Sequence, residues 1–217
     1  MKILFVSSEC APFSKSGGLA DVAFSLPPAL QKTGDDMAIV TPMYRVTQEN
    51  YGDEFERIKT CQIVLGQRRL ACSLYRGALN GVTVYAIGNE HLFHRPRLYG
   101  YGDDSLRFAF FCRAVIDLLP EFGDLPDILH CNDWETALAI LYLKNDAVLR
   151  PELSHIKTVY TIHNLQYQGV FPIKAVQDTL GLGDSLFTSD KLECYGCANY
   201  MKAGLVYADE LTTVSPS

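Results

Sequence analysis

The opening of the chain restricts it to an open α/β fold with parallel strands. A short, apolar, β-prone run at Lys2–Ser7 precedes a glycine-containing loop, and an amphipathic stretch from Leu19 to about Lys32 follows. Gly34 closes that stretch, and Met37–Thr41 is a second buried-strand candidate. A strand, a helix and another strand in this order predict a βαβ unit, in which a crossover helix joins two parallel strands.

The middle of the chain carries a different pattern. Three β-prone runs, at Ile63–Leu65, Leu70–Tyr75 and Val82–Ile87, are separated by Gly66 and by the turn-prone pair Asn80–Gly81. They predict a β-hairpin insertion. Strand and helix candidates then alternate along the rest of the chain, at Leu106–Leu119, Asp127–Cys131, Trp134–Asn145, Lys157–Ile162, Lys191–Tyr207 and Glu210–Val214.

These elements together predict an α/β fold, a Rossmann-like, doubly wound, mostly parallel sheet that carries a β-hairpin insertion. No repeat and no low-complexity linker divides residues 1–217, so we expect a single domain. Because the sequence stops at Ser217 directly after a strand candidate, we expect a truncated protein.

The composition argues against several classes of partner. The chain has 19 basic and 25 acidic side chains, a net charge of -6 and no Lys/Arg cluster, so we expect no nucleic-acid partner. The opening apolar run is too short for an export signal and no segment reaches membrane-spanning length, so we expect a cytoplasmic protein without a membrane partner. The pair Cys194 and Cys197 has no second ligand pair, so we expect free thiols and no metal site.

In open α/β sheets, ligands bind beyond the carboxyl ends of the strands, and the first such place follows Lys2–Ser7. There Gly17 and Gly18 allow close approach of the backbone to a ligand, and the start of the next helix attracts anions. Lys15 adds a charge suited to phosphate, and Asp21 follows in the helix. The spacing matches neither the dinucleotide fingerprint GxGxxG nor the phosphate loop GxxxxGK[ST]. A ligand-binding loop and a glycine turn without a ligand both fit these residues.

Two further strand candidates end in polar residues. After the first come Asp133, whose carboxylate could accept hydrogen bonds from sugar hydroxyls, and Trp134, whose ring could stack on a sugar. The alternative is that Asp133 caps the next helix and Trp134 packs in the core. After the second come His163 and Asn164, in a loop crowded with donors and acceptors or in an ordinary turn. Tyr99, in a polar segment, is either an exposed stacking ring or a turn residue.

Several long motifs occur along the chain in one order. They are SSECAPFSKSGGLADV, TPMY, HCNDW, TIHNLQYQGVF and NYMKAGLVYADELTTVSPS. Together they resemble the glycogen and bacterial starch synthases, glucosyltransferases in which two Rossmann-like domains face a cleft, the GT-B arrangement. The resemblance implies that this chain is the N-terminal half of such an enzyme and that the C-terminal nucleotide-binding domain is absent from it.

The resemblance also implies an activity, which is retaining transfer of glucose from ADP-glucose to the non-reducing 4-hydroxyl of an α-1,4-glucan such as glycogen. No cofactor or metal is implied, because cations and helix N–H groups would stabilise the leaving phosphate. The implied catalytic residues are Lys15 and His163, the latter beside the anomeric centre. Substrate contacts are implied for Lys15, Gly17 and Gly18 at the diphosphate and glucose, for His163 and Asn164 at the transferred sugar, and for Asp21, Tyr99, Asp133 and Trp134 at the acceptor.

The chain also departs from the family. Glu135 stands where the family often has His or Gln, which leaves that acceptor-side contact open. The Arg, Lys and Glu residues that the family uses for the phosphates and donor glucose belong to the absent domain, so we expect this chain alone to be inactive. Two alternatives stay open, a related GT-B glucosyltransferase with another donor and a non-catalytic glucan-binding or regulatory module. The residues present do not distinguish ADP-glucose from UDP-glucose.

Overall fold

The computed structural model describes residues 1–214. Residues 215–217, which end the last motif quoted above and include the expected truncation point, lie outside the described part. The strands are β1 (Lys2–Val6), β2 (Asp36–Pro42), β3 (Glu56–Leu65), β4 (Arg68–Leu79), β5 (Val82–Gly88), β6 (Ile128–Asn132), β7 (Lys157–Ile162), β8 (Val170–Pro172), β9 (Glu193–Cys194), β10 (Cys197–Asn199) and β11 (Glu210–Thr213). The α-helices are α1 (Gly18–Lys32), α2 (Arg45–Tyr51), α3 (Glu90–Phe93), α4 (Asp104–Asp117), α5 (Trp134–Asp146), α6 (Ile173–Leu180) and α7 (Met201–Tyr207).

Eight strands form the central sheet, in the order β11-β7-β6-β1-β2-β5-β4-β3. Neighbouring strands from β11 to β5 are parallel, whereas β4 pairs antiparallel with both β5 and β3. The chain proceeds from β1 to β2 on one side of the sheet and later continues on the other side at β6, so the strand order reverses at β1. The predicted doubly wound fold is confirmed. A reversal of this kind opens a crevice beyond the carboxyl ends of the strands.

The predicted β-hairpin insertion is the pair β3 and β4, which widens the central sheet. Gly66 turns the chain between them with a φ of 59°. At the next turn, Asn80 and Gly81 have φ values of 50° and 84°. Positive φ at both central residues matches the right-handed twist of the flanking strands, which explains why this dipeptide joins β4 to β5.

The candidate element Lys191–Tyr207 is divided in the structure. Its first half forms the short antiparallel pair β9 and β10, and a helix begins only at Met201. Tyr195 and Gly196 both have positive φ, and the Gly196 N–H donates to the Glu193 carboxylate at 2.6 Å. This turn joins β9 to β10, and the strand pair precedes the helix.

Both faces of the sheet are covered. Side chains alternate along β1, so that Ile3 and Phe5 join one apolar cluster and Leu4 and Val6 join the other. Ala23 of α1 belongs to the first cluster, whereas α4 and α5 supply much of the second. Close packing on both faces fixes the carboxyl ends of β1, β6 and β7, which are the strand ends that carry the candidate residues.

Within residues 1–214, the helices are all too short or too polar to cross a bilayer. The seven cysteines are free thiols, and Cys194 lies opposite Cys197 in the β9–β10 pair.

Candidate functional site

A cavity of about 810 Å³ lies at the carboxyl ends of β1, β6 and β7, where the strand order reverses. A smaller cavity of about 330 Å³ adjoins it and shares Asp104, Trp134 and Tyr167 with it. The large cavity brings together residues from distant parts of the chain, namely Glu9, Ser16, Gly17, Gly18, Leu19, Val22, Tyr99, Gly100, Asp104, Asp133, Trp134, Glu135, His163, Asn164, Tyr167 and Val214.

The glycine loop after β1 is held by a buried carboxylate that the sequence reasoning did not single out. Glu9 is 4% exposed, and its carboxylate accepts hydrogen bonds from the N–H groups of Ser16 and Gly17. It also accepts from the Ser16 hydroxyl at 2.7 Å and from the Tyr99 hydroxyl at 2.9 Å. Glu9 therefore fixes the loop and ties it to the segment that carries Tyr99.

The glycines at positions 17 and 18 provide open space for a ligand, and the backbone conformation does not require glycine there. A Cβ built at Gly17 or Gly18 would meet no atom within 4 Å, and neither residue is among those with positive φ. Both glycines line the cavity, so the space that a side chain would fill is open to a ligand. Because Glu9 already occupies the N–H groups of Ser16 and Gly17, those of Gly18 and Leu19 in the first turn of α1 are the ones left for an anion.

Lys15 and Asp21 form an ion pair near the glycine loop. Lys15 Nζ lies 2.6 Å from Asp21 Oδ1, and the two side chains are 52% and 60% exposed. Neither side chain is buried, and neither is among the residues that line the cavity. A phosphate beside Gly18 would compete with Asp21 for the Lys15 ammonium group, and the exposed pair leaves Lys15 free to exchange partners.

Asp133 links the end of β6 to the loop after β7. Its Oδ1 accepts hydrogen bonds from the main-chain N–H groups of His163 and Asn164, at 2.8 and 3.2 Å. Asp133 is the N-cap residue of α5, as the capping alternative predicted, but its side chain accepts no hydrogen bond from that helix. The backbone has a φ of 57°, which non-glycine residues seldom adopt. Burial raises the pKa of the Asp133 carboxyl, against the two N–H donors, which lower it.

His163 is oriented by a buried amide. Its Nε2 lies 2.9 Å from Asn132 Oδ1, while Asn132 Nδ2 donates to the Val6 carbonyl at 3.0 Å. Because the amide oxygen can only accept, His163 Nε2 must carry the proton. Burial lowers the pKa of His163, with Asp133 opposing that shift, which favours the neutral ring. In the neutral ring, Nδ1 is left with a lone pair.

Tyr99 reaches the cavity with its hydroxyl already engaged. The hydroxyl group donates to Glu9 Oε1 and lies 3.0 Å from Ser8 Oγ. Of the two alternatives for Tyr99, the exposed stacking ring is wrong, because the ring is part-buried and packs against Phe108 with centroids 5.8 Å apart. Asp104, at the start of α4, closes the same segment by accepting from the N–H groups of Gly100 and Tyr101.

Trp134 is mostly a core residue. Its side chain is 8% exposed and its ring meets the edge of Phe108, with centroids 5.1 Å apart. Gly169 is required beside it, since an added Cβ there would lie 2.2 Å from the indole ring. The core alternative therefore describes most of the ring, although a small part still lines both cavities.

The cavity thus brings Gly17, Gly18, Tyr99, Asp133, Trp134, His163 and Asn164 together, with Lys15 and Asp21 close in sequence to the glycine loop. Sequence reasoning missed Glu9, Asn132 and Asp104. Asn132 is the last residue of β6 and Glu9 lies in the loop after β1, where their polar character was a usable signal. Asp104 acts through a local loop contact that no periodic pattern reports. In residues 1–214, no three or more His, Cys, Asp or Glu side chains are grouped as metal ligands.

Comparison with known proteins gives consistent matches. The family described as "Starch synthase catalytic domain" matches residues 2–217. A glycogen synthase of Geobacillus stearothermophilus is 45% identical over 219 residues, which cover 100% of this chain and 45% of that protein. A glycogen synthase of Bacillus anthracis is 45% identical over 217 residues, which cover 100% of this chain and 46% of that protein.

A solved structure gives the same result for the fold. The catalytic domain of Starch Synthase IV from Arabidopsis thaliana, bound to ADP and acarbose, superposes with a TM-score of 0.88 and 29% sequence identity. The match covers 99% of this chain and 45% of that one. The chain therefore spans about half the length of the relatives it matches.

Proposed function

The chain belongs to the starch synthase catalytic domain family, and from this premise we propose that the whole protein is a glycogen (starch) synthase. The reaction is retaining transfer of glucose from ADP-glucose to the non-reducing end of an α-1,4-glucan. The observation that carries the proposal is the cavity at the strand-order reversal, on which the glycine loop, Asp133 and the His163 loop converge. The ADP in the Arabidopsis structure supports an ADP-linked donor.

On the donor side, Lys15, Gly17 and Gly18 bind the diphosphate and the glucose. The open space at both glycines admits the ligand, and the N–H groups at the start of α1 attract its negative charge. Lys15 supplies a mobile cation once it leaves Asp21. Charge that develops on the leaving phosphate is stabilised by these fixed dipoles and by the ammonium group, in the way that preorganised donors act in other transferases.

At the transferred glucose, we assign His163 and Asn164 as the contacts, with His163 beside the anomeric centre. The hydrogen bond from His163 Nε2 to Asn132 holds the imidazole ring in one orientation. Asp133 positions both residues through their N–H groups. The second carboxylate oxygen of Asp133 contacts the glucan acceptor, together with Asp21, Tyr99 and Trp134.

The whole protein includes a second, C-terminal nucleotide-binding domain, which faces residues 1–217, the N-terminal GT-B domain. Relatives of about twice the length support this division. The chain by itself lacks half of the donor site and does not turn over ADP-glucose. A cytoplasmic location remains a prediction.

The proposal is tested by ADP-glucose-dependent incorporation of labelled glucose into glycogen by the full-length protein. Lys15→Ala and His163→Ala variants, each checked for native folding by circular dichroism, should lose about 100-fold or more of the activity. Glu152→Ala, in an exposed turn, serves as the control and should retain it. A full-length protein that binds malto-oligosaccharide but transfers glucose from neither ADP-glucose nor UDP-glucose would establish the glucan-binding alternative instead.

A further inference from the structure

The seven cysteines, which all lie within residues 1–214, differ in whether a reagent in solution can reach them. Burial raises the pKa of four thiols, which keeps them protonated and unreactive, and these belong to Cys10, Cys72, Cys112 and Cys131. The other three, Cys61, Cys194 and Cys197, are half-buried. Cys61 lies opposite the buried Cys72 in the β3–β4 pair. Cys194 and Cys197 are therefore the pair in which both thiols are accessible.

Cys194 and Cys197 face each other across the β9–β10 pair. They are register partners in this antiparallel pair, so their side chains lie on the same face of the sheet. The Asn199 N–H donates to the Leu192 carbonyl at 2.8 Å, and hydrogen-bonded positions recur at every second residue, so the two cysteines occupy such a position as well. The Cα atoms of hydrogen-bonded partners are about 5.5 Å apart, inside the range of about 4.4–6.8 Å that a disulfide spans.

The turn between the two cysteines leaves room for the small movement that a bond requires. The Cβ atoms of opposite residues lie about 4.5–5.5 Å apart, whereas those of a disulfide lie about 3.5–4.5 Å apart. Tyr195 is fully exposed, and a Cβ built at Gly196 would meet no atom within 4 Å. Because the tip of this turn is open in the described part of the chain, the two strands can approach by the necessary distance of about 1 Å.

Strand β10 also supports the end of the loop that follows β7 and carries the candidate site residues. Asn199 Nδ2 donates to Gln168 Oε1 at 2.8 Å. The next N–H group along the chain, that of Tyr200, donates to the Gly169 carbonyl at 3.0 Å. A covalent bond between β9 and β10 would therefore stabilise the hairpin that holds this loop.

We propose that Cys194 and Cys197 are a modification site, at which exchange with a low-molecular-weight disulfide such as oxidised glutathione forms a reversible disulfide that stabilises the hairpin. The thiolate of one cysteine attacks a sulfur of the glutathione disulfide, whose S–S bond breaks and releases one glutathione thiolate. The second cysteine thiolate then attacks the protein sulfur of the mixed disulfide and releases the other glutathione thiolate. Two protein thiols are oxidised, one glutathione disulfide is reduced to two thiols, and the two protons pass to the glutathione thiolates.

The test treats the full-length protein with an excess of oxidised glutathione, blocks the remaining thiols with iodoacetamide and digests the protein with trypsin. Cleavage after Lys191 and Lys202 gives a peptide, 192–202, that contains both Cys194 and Cys197 and no other cysteine. Mass spectrometry should find this peptide without alkyl groups and lighter by two hydrogen atoms than its dithiol form. Excess reduced glutathione should restore two thiols that iodoacetamide can block.

A variant separates the two steps of the exchange. Cys194→Ser lacks the second thiol, so its peptide 192–202 should retain one glutathione on Cys197 instead of forming the internal bond. Cys61→Ser is the control, because Cys61 lies in β3, and it should leave the internal bond unchanged. If peptide 192–202 of the unmodified protein stays fully alkylated, or carries a glutathione on each cysteine, in excess oxidised glutathione, the proposal is wrong.

Stabilisation of the hairpin is measured by hydrogen exchange on the oxidised and reduced full-length protein. The amides of β9 and β10 should exchange about tenfold more slowly in the oxidised protein, as expected when a bond closes a ring of about four residues. Equal exchange rates in the two forms, with the bond shown to be present, would overturn the stabilising role.

Discussion

Glu9 and Asp133 are two buried carboxylates that line one cavity, and they differ in how many hydrogen bonds they already accept. Glu9 accepts four, from two N–H groups and two hydroxyls, so that both of its oxygens are occupied. Asp133 accepts two, both on Oδ1. Among the described residues, no donor reaches Asp133 Oδ2.

The difference separates a structural role from a ligand-binding role. A carboxylate has about four lone-pair positions, so Glu9 is saturated by the protein itself and has little capacity left for a substrate. Asp133, which also lines the cavity, uses one oxygen to hold the His163 loop and keeps the other unoccupied among the described residues. Unused hydrogen-bonding capacity at a cavity wall is thus a better guide to substrate contacts than the presence of a carboxylate.

The largest effect is expected for Glu9→Ala, because it leaves several buried donors without an acceptor. We expect a loss of about 4 kcal/mol in the free energy of unfolding, measured by urea denaturation. The glycine loop and the Tyr99 segment should come apart together, because Glu9 is the group that joins them. Glu9→Gln keeps one acceptor oxygen and should lose about half as much. Equal stability of Glu9→Ala and the unmodified protein would show that Glu9 is not the link.

A buried histidine that already has a hydrogen-bonding partner gives a second test of this distinction. The Nε2 of His130 bonds to the Thr161 hydroxyl at 2.7 Å, and its ring packs edge-on against Phe5. Burial lowers the pKa of His130 from 6.5 to about 4. The folded state therefore binds this proton more weakly than the unfolded state does. The resulting stability is present above pH 6.5 and is lost as the pH falls from 6.5 through about 4.

For that difference in pKa, the loss amounts to about 3 kcal/mol at the acid end. Urea denaturation between neutral pH and about pH 4 should show a shallower acid loss for His130→Gln than for the unmodified protein. The control is His155→Gln, since His155 is exposed in a turn. Identical acid profiles for His130→Gln and the unmodified protein would mean that another group causes the loss.

The sequence was sufficient to predict the fold because local patterns determine it. Apolar strand runs, Asn80–Gly81 and the helix boundary at Lys32 are all properties of neighbouring residues, and each appears in the structure at the expected place. The division of Lys191–Tyr207 was missed because the turn there depends on the positive φ of Tyr195 and Gly196, which apolar periodicity does not report.

The site was predictable in position but not in hydrogen bonding. Strand-end polar residues such as Asp133 and His163 follow from the rule that ligands bind beyond the carboxyl ends of parallel strands. Whether a given carboxylate is saturated depends on contacts between residues far apart in sequence. The bond from Tyr99 to Glu9 spans 90 residues, and that from His163 to Asp133 spans 30. Sequence reasoning therefore chose Asp133 but missed Glu9.

A smaller effect, on activity rather than stability, is expected for Asp133→Asn. Asparagine has nearly the same shape as aspartate and keeps one oxygen for the His163 and Asn164 N–H groups, so the free energy of unfolding should change by less than about 1 kcal/mol. Replacing the free oxygen by an NH2 group removes an acceptor from the cavity. Glucose transfer by the full-length protein should fall about 10- to 100-fold, the worth of one hydrogen bond to a charged group.

Asp124→Asn is the matched control for Asp133→Asn, because Asp124 is 98% exposed and pairs with Lys2 at the amino end of β1. It should leave both the activity and the stability unchanged. If Asp133→Asn lowered the free energy of unfolding as much as is expected for Glu9→Ala, the two carboxylates would not differ in role.

The smallest effect on stability is expected at the exposed pair of Lys15 and Asp21. With side chains 52% and 60% exposed, the pair is screened by water and salt, so Asp21→Ala should cost less than about 0.5 kcal/mol in urea denaturation. The cost should shrink further in high salt. If the free energy of unfolding fell by more than about 1 kcal/mol and the loss persisted in high salt, the pair would have a structural role like that of Glu9. A small loss leaves Lys15 free to exchange Asp21 for a phosphate, because the free energy needed to break the pair is then far below that of one charge-assisted hydrogen bond.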